Sequence, residues 1–357
     1  MSKMKTEIIK VLPDNVSESL SDIKRAADIL KSGGLVVFPT ETVYGLGGDA
    51  TNPASAEKIF AAKGRPKDNP LIIHIADPSD AEFYTVTSPL YYRLAEKFMP
   101  GPLTVILESK ETVPRQTRGG LSTVAVRCPE NPIARAFIGE AGVAVAAPSA
   151  NLSGSPSPTN APHVIDDMYG RVDVIIDGGE CDFGLESTIV KIEDDNTVTL
   201  LRPGRITPDE LSLVCNVNVA SAVTSELKAG EIALSPGMKY RHYAPKAPLM
   251  LLDGAPSDAV EYIREQNSEK IAVLTYSEDY QYFAKNLPGV ELYDMGSVNN
   301  ESAQAHELFR ILRDADKERF DIIYAPLPRM QGIGLALYNR LIRAAAHTIV
   351  NIRGYSK

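Results

Sequence analysis

Lys63, Arg65 and Lys67 place three cations within five positions, around a Gly64 and a Pro66 that prevent a helix from continuing. A rigid basic loop of this kind suits phosphates: arginine supplies a planar fork, lysine a point charge, and open backbone N–H groups add to both. The competing reading is a solvated charged turn. Upstream, Pro39 ends an apolar run and is followed by the hydroxyls of Thr40 and Thr42 and a glycine-bearing turn, Gly45-Leu46-Gly47-Gly48. A second polar loop, Ala147 to Ser157, follows the apolar run Val143–Ala147 and so falls at a strand's C-terminal edge, where ligands usually bind in α/β folds. Its Ser149, Asn151 and Ser157 can orient a ribose or a phosphate, or can simply decorate a surface. Arg127 ends the apolar run that starts at Thr123; it suits either a structural ion pair or a two-pronged hold on a carboxylate. Gly184–Thr188 and Leu201–Gly204 add Ser187 and Arg202.

Other chemistries lack their residues. Asp182-Phe183-Gly184 spells a kinase triplet, but the H-R-D loop and the glycine-rich kinase loop are absent. There is no G-x-x-x-x-G-K-[ST] phosphate loop and no G-x-S-x-G elbow, and His306-Glu307 has no second histidine at zinc-protease spacing. Cys128, Cys181 and Cys215 form no C-x-x-C pair, which removes zinc ribbons and thioredoxin-like chemistry and suits a reducing, cytoplasmic setting. Lys+Arg of 37 against Asp+Glu of 46 gives −9, an unpromising balance for coating nucleic acid or an anionic membrane, though a local basic pocket remains compatible with it. No apolar run is long enough to span a bilayer, and the N-terminal run is too short and interrupted for a signal peptide.

The 357 residues set an expectation of about two domains. Residues 1–216 predict many strands with few helices between them: Leu35–Phe38, Leu71–Ile75, Leu103–Leu107, Thr123–Arg127, Val143–Ala147, Val172–Ile176, Ser187–Ile192 and Thr197–Leu201, with helices at Ala54–Ala62, Tyr91–Phe98 and Pro132–Ala141. That is an α/β (α+β) unit with a mixed sheet. Residues 217–247 form a linker by composition, with a helix-like stretch at Ser221–Leu227 and then a segment rich in Pro, Tyr and basic residues. Residues 248–357 alternate strand and helix, which predicts a smaller, doubly wound, Rossmann-like parallel sheet.

Taken in order, PTETVYGLG, KGRPKDNPLIIHI and APSANLSG resemble the YrdC-type domain of the threonylcarbamoyl-AMP synthases. SPGMKYRHYAPKAPL followed by an α/β domain resembles the long, two-domain members of that family. The resemblance covers nearly the whole chain; each motif alone is weak, and jointly they are highly specific. It implies a twisted mixed sheet around a concave cationic cavity, and a nucleotidyltransferase that joins L-threonine, bicarbonate or CO2 and ATP into threonylcarbamoyl-adenylate, releasing pyrophosphate. A separate transferase complex then modifies tRNA adenosine 37; the resemblance leaves room for a transient tRNA contact and calls for no membrane. By the family pattern Thr42, His74, Arg127 and Ser187 hold threonine, and Lys63 and Arg65 act on the triphosphate with Asn69. Thr123, Ser149, Asn151, Ser157, Arg202 and Ser235 line the nucleotide side. Residues 217–247 serve as a linker or lid, with Tyr240 and His242 touching the ligands; for this segment a plain spacer, and for His74 a buried structural histidine, are the alternatives. Mg²⁺ is expected on the leaving phosphates, held mainly by the nucleotide, since no dedicated carboxylate cage is visible in the sequence. Other readings are a double-stranded RNA or tRNA-binding module without catalysis, a carbamoyl-adenylate enzyme related to hydrogenase maturation, and an ATP-binding regulator whose C-terminal domain senses a ligand.

Overall fold

The computed structural model describes residues 5–225 and 243–355, in two compact units. The first is Met1–Ser153 with Ser157–Lys239, and the second is Gly154–Pro156 with Tyr240–Lys357.

The first unit contributes twelve described strands: β1 (Glu7–Lys10), β2 (Val36–Phe38), β3 (Gly45–Asp49), β4 (Ile72–His74), β5 (Thr85–Val86), β6 (Leu103–Ser109), β7 (Thr123–Arg127), β8 (Val145–Ala147), β9 (Val174–Asp177), β10 (Thr188–Asp194), β11 (Thr197–Arg202) and β12 (Asn216–Val219). They form one sheet in the order β1-β9-β2-β3-β8-β4-β7-β6-β10-β11-β12, with β5 added to β6. Pairing is mixed, as the sequence predicts: β4 runs parallel to β7 and antiparallel to β8, while β6 runs antiparallel to β7. Ile23, Ala26, Ala27 and Leu30 of the Leu20–Lys31 helix share a core with Phe137 and Ile138 of the Pro132–Ala141 helix and with Val36 and Phe38 of β2. Another core gathers Ile72, Ile106, Ala125, Ile189 and Leu201 with Ala222.

Two expectations need correction. Gly45–Gly48 is a buried strand rather than a turn, paired with β2 on one side and β8 on the other. A Cβ on Gly47 would stand 2.8 Å from Val145 Cγ1 and 3.0 Å from Phe38 Cε1, so the glycines are there to let neighbours approach. The first sheet also continues past residue 216: β12 pairs with β11 from Thr197↔Asn216 to Leu200↔Val219, and Ala222 is a core residue. Within the stretch read as helix-like from Ser221 there is a single 3₁₀ turn, Ser221–Val223, followed by described residues only to 225.

In the second unit β13 (Leu249–Asp253), β14 (Ile271–Thr275), β15 (Glu291–Asp294), β16 (Ile322–Pro326) and β17 (Ile349–Asn351) pair in the order β15-β14-β16-β13-β17, parallel throughout. Helices Pro256–Arg264, Ser277–Asn286, Glu301–Glu318 and Gly334–Ala344 connect them, which is the doubly wound alternation the sequence predicts. Leu252, Val260, Ile263, Val273, Phe283 and Tyr324 belong to its core. The short segment Gly154–Pro156 counts with this unit, where the Arg313 guanidinium donates to Pro156 O at 2.6 Å.

Candidate active site

The basic loop is built by the end of one helix. Pro53–Lys63 starts with Asn52 capping Ala54 N and Pro53 in the first turn, and it stops at Gly64, whose φ of +62° is the left-handed conformation glycine adopts without strain. The stop leaves Lys63 buried, with Nζ donating to Ser149 O, to Asn151 O at 2.6 Å and to Asn151 Oδ1 at 3.2 Å. Ser149 Oγ also donates to Asn151 Oδ1. The basic loop and the serine loop, distant in sequence, are therefore one structure, and these acceptors orient the ammonium without themselves carrying charge. Arg65 Nη2 donates to Pro70 O at 3.0 Å and to Asn69 O at 3.4 Å, folding the loop on itself. Asn69 is only 2% exposed, yet its Nδ2 and Oδ1 have no hydrogen-bond partner among the described residues. A buried, unsatisfied amide is costly, and a water, an ion or a ligand is what such a group calls for.

A second cluster lies where β4 and β7 end. His74 and Arg127 are partners in the parallel register. Arg127 Nε donates to Gly101 O at 3.3 Å, Nη1 to Thr42 Oγ1 at 2.8 Å and Nη2 to Glu41 Oε1 at 2.6 Å. Of the two sequence alternatives for Arg127, the buried ion pair is present, and these three bonds use three of its five N–H groups. The Thr40 hydroxyl donates to Val43 O at 2.6 Å, so the Thr42 hydroxyl donates to Thr40 Oγ1, 2.8 Å away, while accepting from Arg127. His74 Nδ1 lies 3.3 Å from Val145 O. A carbonyl only accepts, so Nδ1 carries the proton and Nε2 keeps a lone pair. Burial, reinforced by the Arg127 charge, pushes the imidazole pKa down to about 3, so the ring is neutral.

Ser187 Oγ sits 2.8 Å from Thr104 Oγ1 and accepts from Arg202 Nη2 at 3.1 Å, while Arg202 Nε donates to Ser187 O at 3.0 Å. Arg202, assigned by the family pattern to the nucleotide side, is thus held against a residue assigned to threonine. Ser157 Oγ donates to Glu186 Oε1 in the interior. Thr123 is half-buried at the first residue of β7, opposite Glu108. Ser235, Tyr240 and His242 lie outside the described residues. Glu41, Thr104 and Glu186 carry roles the sequence did not disclose. Glu41 stands inside a recognised motif, but its partner Arg127 is 86 positions away and nothing local announces the pair.

Thr123, Ala125 and Arg127 alternate along β7 and share a face, four residue steps or roughly 13 Å from end to end. Leu71 N donates to Thr117 O, so the basic loop enters β4 on the side where β7 begins, and His74 with Arg127 closes the other end. One end offers cations and an unsatisfied amide; the other offers a guanidinium, hydroxyls and a neutral imidazole. None of the thiols suits a nucleophile: all three are buried, and burial raises the pKa of each, that of Cys128 to about 12. The described residues contain no group of three or more His, Cys, Asp or Glu able to hold a metal, and Glu41 and Glu186 are engaged by Arg127 and Ser157.

Comparison with known proteins agrees with this two-part construction. The Sua5_yciO_yrdC family model, described as telomere recombination, matches residues 28–204, and the model for the C-terminal domain of threonylcarbamoyl-AMP synthase matches residues 206–346. A threonylcarbamoyl-AMP synthase of Bacillus subtilis is 42% identical over 343 residues, covering 94% of this chain and 96% of the relative. One from Pyrococcus abyssi is 40% identical over 351 residues, covering 95% and 98%. The crystal structure of P. abyssi Sua5 complexed with L-threonine superposes with a TM-score of 0.87 at 39% identity, covering 97% of this chain and all of that one. The fold is that of the two-domain Sua5 proteins, a YrdC-type sheet joined to a parallel α/β unit. The chain belongs to the threonylcarbamoyl-AMP synthase family.

Proposed function

We propose that this chain condenses L-threonine, bicarbonate or CO2 and ATP into threonylcarbamoyl-adenylate and pyrophosphate, the activated intermediate that a separate transferase complex passes to tRNA adenosine 37. The observation that carries the reading is the division of one strand pair into a cationic end at Lys63, Arg65 and Asn69 and an amino-acid end at Thr42, His74 and Arg127. Arg127 takes the threonine carboxylate with its two remaining N–H groups. His74 Nε2 accepts from the threonine amine or hydroxyl, and Ser187 lies on the same substrate's path. A neutral imidazole suits this role, because the amine must be uncharged to attack CO2 and His74 cannot protonate it. The uncharged amine nitrogen bonds to carbon and its proton leaves, to solvent with CO2 or within a departing water with bicarbonate, giving a carbamate; a carbamate oxygen attacks the α-phosphorus, and the bond to the bridging oxygen breaks as pyrophosphate leaves. Lys63 and Arg65 stand against the charge that grows on the phosphoryl oxygens, and such preorganised charge is where the largest rate gain is expected. Asn69 completes its hydrogen bonds on the phosphate chain, while Thr123, Ser149, Asn151 and Ser157 serve the nucleoside side. Magnesium arrives on ATP as part of the substrate, and no side chain is assigned to it.

Three buried free cysteines, and the absence among the described residues of any helix long and apolar enough to cross a membrane, support placement in the cytoplasm. The test is incubation with ATP, Mg²⁺, bicarbonate and L-threonine, with mass analysis for the adenylate and serine and glycine as controls. Lys63→Ala or Arg65→Ala should lower threonine-dependent pyrophosphate release by about a hundredfold or more, with the thermal unfolding transition retained. Full activity in both variants removes the phosphate assignment.

A further inference from the structure

We propose that Glu41 is a positioning residue for threonine: it fixes the plane of the Arg127 guanidinium so that the substrate carboxylate meets a preset pair of N–H groups. The inference rests on the reading of Arg127 given above. Both side chains are buried, at 4% exposure for Arg127 and 6% for Glu41. Glu41 is itself held at three points. Oε1 accepts from Arg127 Nη2 at 2.6 Å, Oε2 accepts from Glu130 N at 3.1 Å, and its backbone carbonyl accepts from Phe183 N at 2.9 Å. With Nε on Gly101 O and Nη1 on Thr42 Oγ1, the guanidinium is anchored on three sides and cannot rotate about its long axis. One N–H is left on each terminal nitrogen, the number that a carboxylate accepts bidentately.

The pair also settles an electrostatic problem. A guanidinium this deeply buried is strongly unfavourable without a counter-charge. A substrate carboxylate could supply the charge only while bound, so an empty site without Glu41 would leave the cation uncompensated and free to seek other acceptors. Glu41 supplies it permanently, and the amino acid then binds to a geometry that does not have to be assembled.

The test is ligand binding by calorimetry to the full chain, for wild type and Glu41→Gln, each measured with L-threonine, with L-threoninamide, which lacks the carboxylate, and with ATP. Glutamine preserves size but removes the charge, and its amide cannot accept at both ends. The expected result is an L-threonine Kd weakened on the order of tenfold or more, with L-threoninamide and ATP affinities nearly unchanged, so that the preference for acid over amide collapses. A purely structural role would weaken all three ligands together. Glu41→Asp, which keeps the charge but is shorter, is expected to recover part of the acid preference, and it carries the test if Glu41→Gln does not fold. Wild type that fails to bind threonine overturns the underlying assignment of the site. Wild type that binds, beside a Glu41→Gln protein with the same Kd and the same acid-to-amide ratio, overturns the role of Glu41 alone.

Discussion

At His74, burial and the neighbouring Arg127 charge hold the imidazole near a pKa of 3, against 6.5 for an exposed histidine. The unfolded chain therefore binds a proton at His74 between those values while the folded chain does not. Because the unfolded state holds more protons in that window, the His74 contribution is fully present above pH 6.5 and is lost as pH falls toward 3. The slope is about 1.4 kcal/mol per pH unit for one proton. In His74→Gln, the change in unfolding free energy between about pH 6 and about pH 4 should be smaller than in wild type by about 2–3 kcal/mol, one proton's slope over most of two pH units, read from urea unfolding at each pH. Identical slopes would mean that the imidazole titrates in the folded chain as it does in the unfolded one, which would contradict a ring kept neutral by burial throughout this window. The cation that adds to the effect of burial on this pKa is the one proposed to hold the threonine carboxylate, so one residue acts on the charge of the site at two places.

At the level of elements, β3 shows what a sequence pattern conceals. Gly45, Gly47 and Gly48 favour a turn by propensity, since glycine is a poor strand former. They are strand residues because β8 and the Pro53–Lys63 helix approach so closely: a Cβ on Gly48 would meet Ile59 Cδ1 and Ser55 Cβ at 3.1 Å each. Gly47→Ala, with a 2.8 Å approach to Val145 Cγ1, should destabilise the chain by about 1–3 kcal/mol through overpacking. Differential scanning calorimetry would register that as a lower melting temperature, and an unchanged transition would show that the sheet relaxes around the methyl. Strands with apolar runs, such as Val36–Phe38 and Thr123–Arg127, were legible in the sequence because burial on both faces demands such runs. β1, four residues at a sheet edge with only Ile9 buried, left no comparable signal. The site was legible in the same uneven way. Lys63, Arg65 and Asn69 announce themselves by local crowding, whereas Glu41–Arg127 and Ser157–Glu186 exist only through tertiary folding.

For the molecule as a whole, the two sheets share no strand. Every strand of the first sheet falls between residues 7 and 219, and its cores draw on residues no later than 223 among those described. The core of the parallel sheet draws on residues 252–352. Each unit has a core of its own among the described residues, and a unit with its own core is expected to fold alone. Composition alone would put the cut near residue 215, but that cut removes β12 from β11 and Ala222 from the core it shares with Ile72, Ile106 and Ala125. A fragment of residues 1–225 should therefore unfold cooperatively with native-like circular dichroism, while a fragment of residues 1–215 should melt several degrees lower. Losing the buried Ala222 and Val223 and a four-residue edge strand corresponds to roughly 1–3 kcal/mol, and each kcal/mol shifts a domain of this size by about 2–4 °C. Equal melting temperatures for the two fragments would show that the strand at the end of the sheet contributes nothing to its stability. A longer fragment that fails to fold would show instead that the first unit depends on the second for its own core.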